Sequence, residues 1–247
     1  MIAPLLIAGI IGVAVSAAGL IGALIASKKD ADANFSKNAG PGSAVVGCKK
    51  CTADTKLGRE IDEAVAKCPA FANKVTALQA KGWSMEYGPA GKGSFCEKNA
   101  KKIVIDSNDK GNTAAVLKTL AHESGHAGYT PDAYVQPAGL TKDQYAARNA
   151  NSALKDEGEA TMTNIEMKEC LEKNGGTKIG VAGAQAAKYE EIAKKFPDPK
   201  DRDKARQAIG DLFADGEHPS TAPALTYREY YEKGFREFYD KLPPKKP

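Results

Sequence analysis

Histidine and tryptophan are scarce in this chain, with three and one among 247 residues. With so few histidines, a metal site must draw on carboxylates, or on every imidazole there is. Charge of one sign is not in excess. The net charge is only +4, and no basic stripe is interleaved with aromatics, which argues against a nucleic-acid partner. Long apolar runs do not recur, so a polytopic membrane protein is excluded. No internal repeat is visible. A hydrophobic content of 42% and a charged content of 27% exclude wholesale disorder.

Charge is missing altogether from Met1–Ser27. At 1.5 Å per residue such a stretch crosses the ~30 Å hydrocarbon core as a helix. It lacks the basic start and the cleavage site of a signal peptide. The expectation is one N-terminal transmembrane helix, making the chain a single-pass, membrane-anchored protein. Lys28 and Lys29 follow it, a weak positive-inside signal offset by Asp30 and Asp32. Residues 28–56 are rich in Gly, Ser, Ala, Lys and Asp and read as a flexible linker. Within it, Cys48 and Cys51 form a lone CxxC, with no second pair to complete a zinc site. The five cysteines, completed by Cys68, Cys96 and Cys170, are odd in number and leave the pairing pattern open.

A folded domain is expected over 57–247. Leu57, Ile61, Val65 and Cys68 have helical spacing, and Pro69 restarts a second helix that Gly82 stops. Short strand patterns follow at 83–87, 94–97 and 102–106, read as a small antiparallel meander. The loop Gly91-Lys92-Gly93-Ser94 lacks the spacing and context of a phosphate loop. Asn112 or Thr113 caps the next helix, and Thr141 with Gln144 forms a capping box. A further helix is expected over 156–173, ended by Asn174-Gly175-Gly176. Three more are expected over about 182–196, 200–213 and 226–241, the last entered by a Thr226/Glu229 box. Its aromatics, Tyr227, Tyr230, Tyr231, Phe235, Phe238 and Tyr239, read as a buried face. The fold class is α+β.

The chemistry lies in His122-Glu123-Ser124-Gly125-His126, an HExxH sequence. On a helix, positions i and i+4 share a face, so both imidazoles reach one ion, and Glu123 stands beside it as general base. The ion expected is Zn2+, which acidifies a water for attack on a carbonyl. Catalytic zinc needs a third protein ligand. His218 is the remaining histidine, and Glu157, Glu159 and Glu166 are the acidic choices on a later helix.

The segment from Asp156 to Thr161 resembles the Asn-Glu-Gly-x-Ala-Ser/Thr segment of gluzincin aminopeptidases. That resemblance implies Glu157 as the third ligand. Together with the strands and the HExxH helix it spans Trp83 to Cys170 and implies a zincin-like core. It also implies that the strand before the active-site helix, Lys102–Asp106, pairs with an extended peptide. Asp156 stands where those enzymes have Asn, and the ligand spacing is longer, so specificity does not transfer. Tyr129–Gln136 and the helix from Thr141 are expected to form one wall of the cleft. His218-Pro219-Ser220, with Arg228 after it, resembles a His-Pro-x…Arg segment of membrane zinc metallopeptidases and implies a transition-state donor at His218.

The expectation is therefore a membrane-tethered zinc metallopeptidase acting on a peptide or protein. The rivals are a zinc peptidoglycan amidase or endopeptidase, and a non-catalytic binding module. A hydrophobic N-terminus on a compact hydrolase is also similar in layout to secreted bacterial toxin effectors. That likeness implies an inner-membrane or target-envelope location and an immunity or secretion partner.

Overall fold

The fold is seen in a computed structural model that describes residues 53–131, 135, 137–219 and 222–242. Met1–Ser27, Cys48 and Cys51 lie outside the described residues, and so do the tether and CxxC expectations. Among the described residues no helix is long and apolar enough to cross a membrane.

The folded part reaches back into the expected linker. Ala53 and Thr55 are buried, and the Thr55 backbone and hydroxyl both donate to Asp62 Oδ1, at 2.7 and 2.6 Å. Helix α1 (Arg59–Ala66) and α2 (Pro69–Ala80) follow. Pro69 fits the first turn of α2, where its missing N–H costs nothing, and Cys68 Sγ accepts from the Phe71 N–H. Cys68 is also disulfide-bonded to Cys170, and Cys96 is a buried free thiol.

The sheet corrects the sequence reading. Strands β1 (Ser84–Gly88), β2 (Phe95–Glu97) and β3 (Lys102–Asp106) lie in the order β1-β3-β2. β1 runs parallel to β3, with Gly88 beside Asp106, and only β2 is antiparallel. The glycine loop after β1 explains the order. It crosses over the end of β3, where Asp106 accepts from the N–H groups of Gly91 (2.9 Å) and Gly93 (2.6 Å). Burial pushes the Asp106 carboxyl up, but the N–H donors of Asn108, Gly91 and Gly93 outweigh it and hold the pKa below the ordinary range. The loop does cradle an anion, and that anion is the chain's own. β3 is therefore central, with both edges paired, and the substrate-pairing role expected of it is not open to it.

Helix α3 (Thr113–Gly128) is capped by Asn112 and carries the HExxH sequence. After it comes a second correction. The helix begun by the Thr141/Gln144 capping box does not stop before Asp156. It continues as one helix of 32 residues, α4 (Lys142–Lys173). Gly158 inside a helix costs about 1 kcal/mol, and packing explains its presence. A Cβ there would stand 2.0 Å from the Arg206 carbonyl oxygen. Helices α5 (Ala186–Lys195), α6 (Arg202–Gly216) and α7 (Tyr227–Asp240) complete the chain.

Two apolar cores result. One joins α1, α2, β1, β3 and α3 with Met167 and Leu171 near the end of α4. The other joins α4, from Tyr145 to Ile165, with α5, α6 and α7. Only α4 runs through both. The aromatic face of α7 packs into the second core, with Tyr227, Tyr231 and Phe235 buried.

Candidate metal centre

Two helices cross at the seam between the cores. Gly125 of α3 sets the approach, since a Cβ there would lie 2.5 Å from the Ala160 Cα of α4. Gly158, on the same helix as Ala160, faces α6 instead.

On the α3 side, His122 and His126 stand one turn apart, ring centroids 5.0 Å from each other. Glu157 meets them from α4. Its Oε2 lies 3.7 Å from His122 Nε2 and 3.5 Å from His126 Nε2. Each residue offers one ligand atom, and the three atoms lie within 4.8 Å of one another. These separations are long for hydrogen bonds. They suit atoms gathered around a common ion, whose ligands at roughly 2.0–2.2 Å stand about 3.3–3.6 Å apart in a tetrahedron.

Burial sharpens the point. His122, Glu123, His126 and Glu157 are 1%, 0%, 1% and 0% exposed. Yet His122 Nε2, His126 Nε2, Glu157 Oε2 and both Glu123 oxygens have no hydrogen-bond partner among the described residues. A buried polar atom left unpaired costs about 1–3 kcal/mol. Several of them converging on one point fit a metal ion and a polarised ligand beside it. The side chains present therefore fit a cation held by His122, His126 and Glu157.

Burial pushes the Glu123 carboxyl up to about 8, so with no cation beside it the group holds its proton at neutral pH. Burial also pushes His122 below its ordinary value. At His126 burial works downward too, but Asp156 and Glu157 outweigh it and raise the pKa. At Glu157 burial works upward, and the two imidazoles outweigh it and hold the carboxyl low, at about 2.

Asp156, the neighbour of Glu157, orients the centre from behind. Its Oδ1 lies 3.1 Å from His126 Nδ1, within ion-pair range though off the angle of a good hydrogen bond. Its Oδ2 accepts from Lys98 Nζ at 2.6 Å, and Lys98 also donates to the Tyr129 carbonyl at 3.2 Å. The departure from Asn at this position thus has a partner, a lysine from just after β2.

The other acidic choices are committed elsewhere. Glu159 accepts from Arg202 and Arg206, at 2.7 Å from Arg202 Nη2 and 2.9 Å from Arg206 Nε, and Glu166 pairs with Arg202. Glu157 is also not at a helix start, as the sequence reading had it. It lies in the middle of α4, so its ligand character owes nothing to an N-terminal dipole.

His218 does not join the converging group. It is exposed on the loop between α6 and α7, its Nδ1 2.9 Å from the Leu225 carbonyl. Arg228 donates to Asp215 and Asn151. The cleft wall expected from the helix at Thr141 is part of α4 itself, and much of Tyr129–Gln136 lies outside the described residues.

Sequence reasoning missed Tyr231. Its hydroxyl donates to Glu157 Oε1 at 2.7 Å. The helical spacing of the α7 aromatics marked the residue as buried but gave no sign that its polar end meets a ligand 74 positions earlier. No family model matches the chain, and no curated protein or solved structure matches it.

Proposed function

We propose that this chain is a zinc-dependent metallopeptidase. One observation carries the reading: ligand atoms of His122, His126 and Glu157 converge, unpaired and buried, beside the unpaired carboxylate of Glu123. Zinc held there would supply Lewis acidity and bring the pKa of a water near 7. Glu123 takes the proton from the attacking water and returns it to the leaving amine. Asp156 fixes the His126 ring through Nδ1, leaving Nε2 for the metal. An extended substrate pairs with β2, the antiparallel edge strand, in place of the central β3. Entry requires part of the wall to move, because the four central side chains are almost fully buried.

The Cys68–Cys170 bond bears on the compartment, and only through it on a second substrate class. Disulfides persist in oxidising compartments such as the bacterial periplasm. A chain working there, tethered by Met1–Ser27, meets peptidoglycan as readily as protein. This also suits the effector layout and an immunity or secretion partner.

Metal analysis of the full chain, paired with hydrolysis of casein and of purified sacculi, tests both readings. Wild type should bind one zinc and cleave one of the two. Glu123→Gln should keep the zinc and lose at least ~10²-fold in rate, the low end for removing a general base. A variant as active as wild type removes the mechanism.

A further inference from the structure

We infer that Tyr231 is a positioning residue that holds Glu157 as a one-oxygen metal ligand and so sets the metal affinity of the centre; this rests on the metal reading above. The two oxygens of Glu157 are used differently. Oε1 accepts from the Tyr231 hydroxyl at 2.7 Å. Oε2 is unpartnered and lies between the two imidazoles, 3.7 and 3.5 Å from their Nε2 atoms. The last torsion of a glutamate is soft, so a free carboxylate swings or presents both oxygens to a cation. A donor on Oε1 removes that freedom. It leaves Oε2 alone to ligate, which keeps a coordination position open for water.

Tyr231 is itself held firmly. Its ring stands 5.9 Å from Tyr227 and 5.7 Å from Tyr230. The start of α7 is fixed by the Thr226/Glu229 capping box and by the Tyr227 N–H bond to the Glu217 carbonyl at 3.1 Å. The hydroxyl is thus delivered by a rigid helix, and at 3% exposure the residue has little access to bulk water.

The competing explanation is an ordinary core tyrosine that found an acceptor. The same core holds such a bond for comparison. Tyr189 donates to Glu217 Oε1 at 2.8 Å, and Glu217 is not among the converging ligands. Removing the two hydroxyls should therefore have unequal effects on metal binding.

The test is zinc affinity of the full chain, measured by competition with a chromogenic chelator. Tyr231→Phe should bind zinc about 10–100-fold more weakly, the usual effect of losing a partner behind a ligand. Tyr189→Phe should match wild type. In a Glu157→Ala background, adding Tyr231→Phe should change nothing further. The cobalt-loaded Tyr231→Phe protein should show shifted d–d bands, because the carboxylate is no longer held to one oxygen. Unchanged affinity in Tyr231→Phe overturns the inference, as does an equal loss in the Glu157→Ala background. Should Tyr231→Phe not fold, Tyr231→Met fills similar space without a hydroxyl and is read the same way. Wild type that binds no zinc overturns the metal reading itself, a result distinct from either of those.

Discussion

Glu157 and Glu159 flank one glycine on α4 and live in opposite surroundings. Two residues along a helix is a turn of about 200°, so they face different neighbours. Glu159 faces α6, where Arg202 and Arg206 occupy its oxygens and Glu166 shares Arg202. That network is complete within the chain. Glu157 faces α3 and α7, where Tyr231 fills one oxygen and the other has no partner among the described residues. Both carboxylates are buried, but only the Glu159 network, which reaches the surface at Glu166, is finished. Unfinished buried polarity is costly, so it persists where something outside the chain completes it. The contrast singles out Glu157 as the candidate ligand carboxylate better than any count of nearby acidic residues.

The strongest way to break the contrast is to exchange its two members. Glu157→Ala should weaken zinc by more than the roughly 100-fold that loss of an outer partner costs. Glu159→Ala should keep zinc but lose about 2 kcal/mol in urea unfolding. That is less than for a fully orphaned buried pair, because Arg202 keeps Glu166 and Arg206 keeps Asp203. If Glu159→Ala loses zinc and Glu157→Ala keeps it, the wrong carboxylate has been chosen.

A second test uses pH on the chelator-treated protein. Glu123 titrates near 8 in the fold against an ordinary 4.5. Its folded pKa is raised, so the native state holds the extra proton inside that window. The stability this contributes is full below 4.5 and is lost as pH rises toward 8. The difference in unfolding free energy between wild type and Glu123→Gln should therefore change across the window, by up to about 1.4 kcal/mol per pH unit. His126, whose raised pKa also costs stability as pH rises, is present in both proteins, so the comparison reads Glu123 together with its coupling to His126. A difference that stays flat would mean Glu123 is already charged and paired.

The finished and unfinished clusters were unequally legible. HExxH fixes its own geometry, because a four-residue spacing on a helix admits one arrangement. The caps at Asn112, Thr141 and Thr226 were equally local, and the structure has all three. Glu157 was reached through a resemblance, while the separate expectation of a helix over 156–173 misplaced it at a helix start. Acidic residues around a glycine look like a helix beginning, and only the approach of α6 shows why Gly158 sits mid-helix. The strand order escaped for a related reason. Alternation reports which face is buried, not which strand is the neighbour. Tyr231, Lys98 and the Cys68–Cys170 pair act across long separations and leave no periodic mark.

That disulfide separates stability from metal binding. It ties the start of α2 to the end of α4 and closes a loop with a separation of 102 residues. Reduction, or Cys68→Ser with Cys170→Ser, should cost about 2–4 kcal/mol of stability. Zinc affinity should hold, because the metal group lies in the middle of α4 and is fixed by α3 and α7. A parallel loss of zinc would show that the sheet-side core, and not the helix crossing, holds the ligands in place.

The finest test places one methyl on each side of α4. Alanine at Gly158 would set a Cβ 2.0 Å from the Arg206 carbonyl oxygen, and alanine at Gly125 one 2.5 Å from the Ala160 Cα. Neither obstacle is the tip of a flexible side chain, so helices must shift in both cases. Overpacking of this kind costs about 1–3 kcal/mol. The stability losses should be alike, but their consequences should not. Gly158→Ala pushes on α6, the helix of the finished network, and should leave zinc affinity near that of wild type. Gly125→Ala separates α3 from α4 at the point where His122 and His126 face Glu157. Ligand atoms 3.5 and 3.7 Å apart cannot all follow such a shift and still meet one ion. Zinc should bind Gly125→Ala about tenfold more weakly, as with other losses of support around a metal ligand. Equal affinities in the two variants would show that the two faces of α4 move as one body, and that the crossing at Gly125 is not what sets the metal geometry.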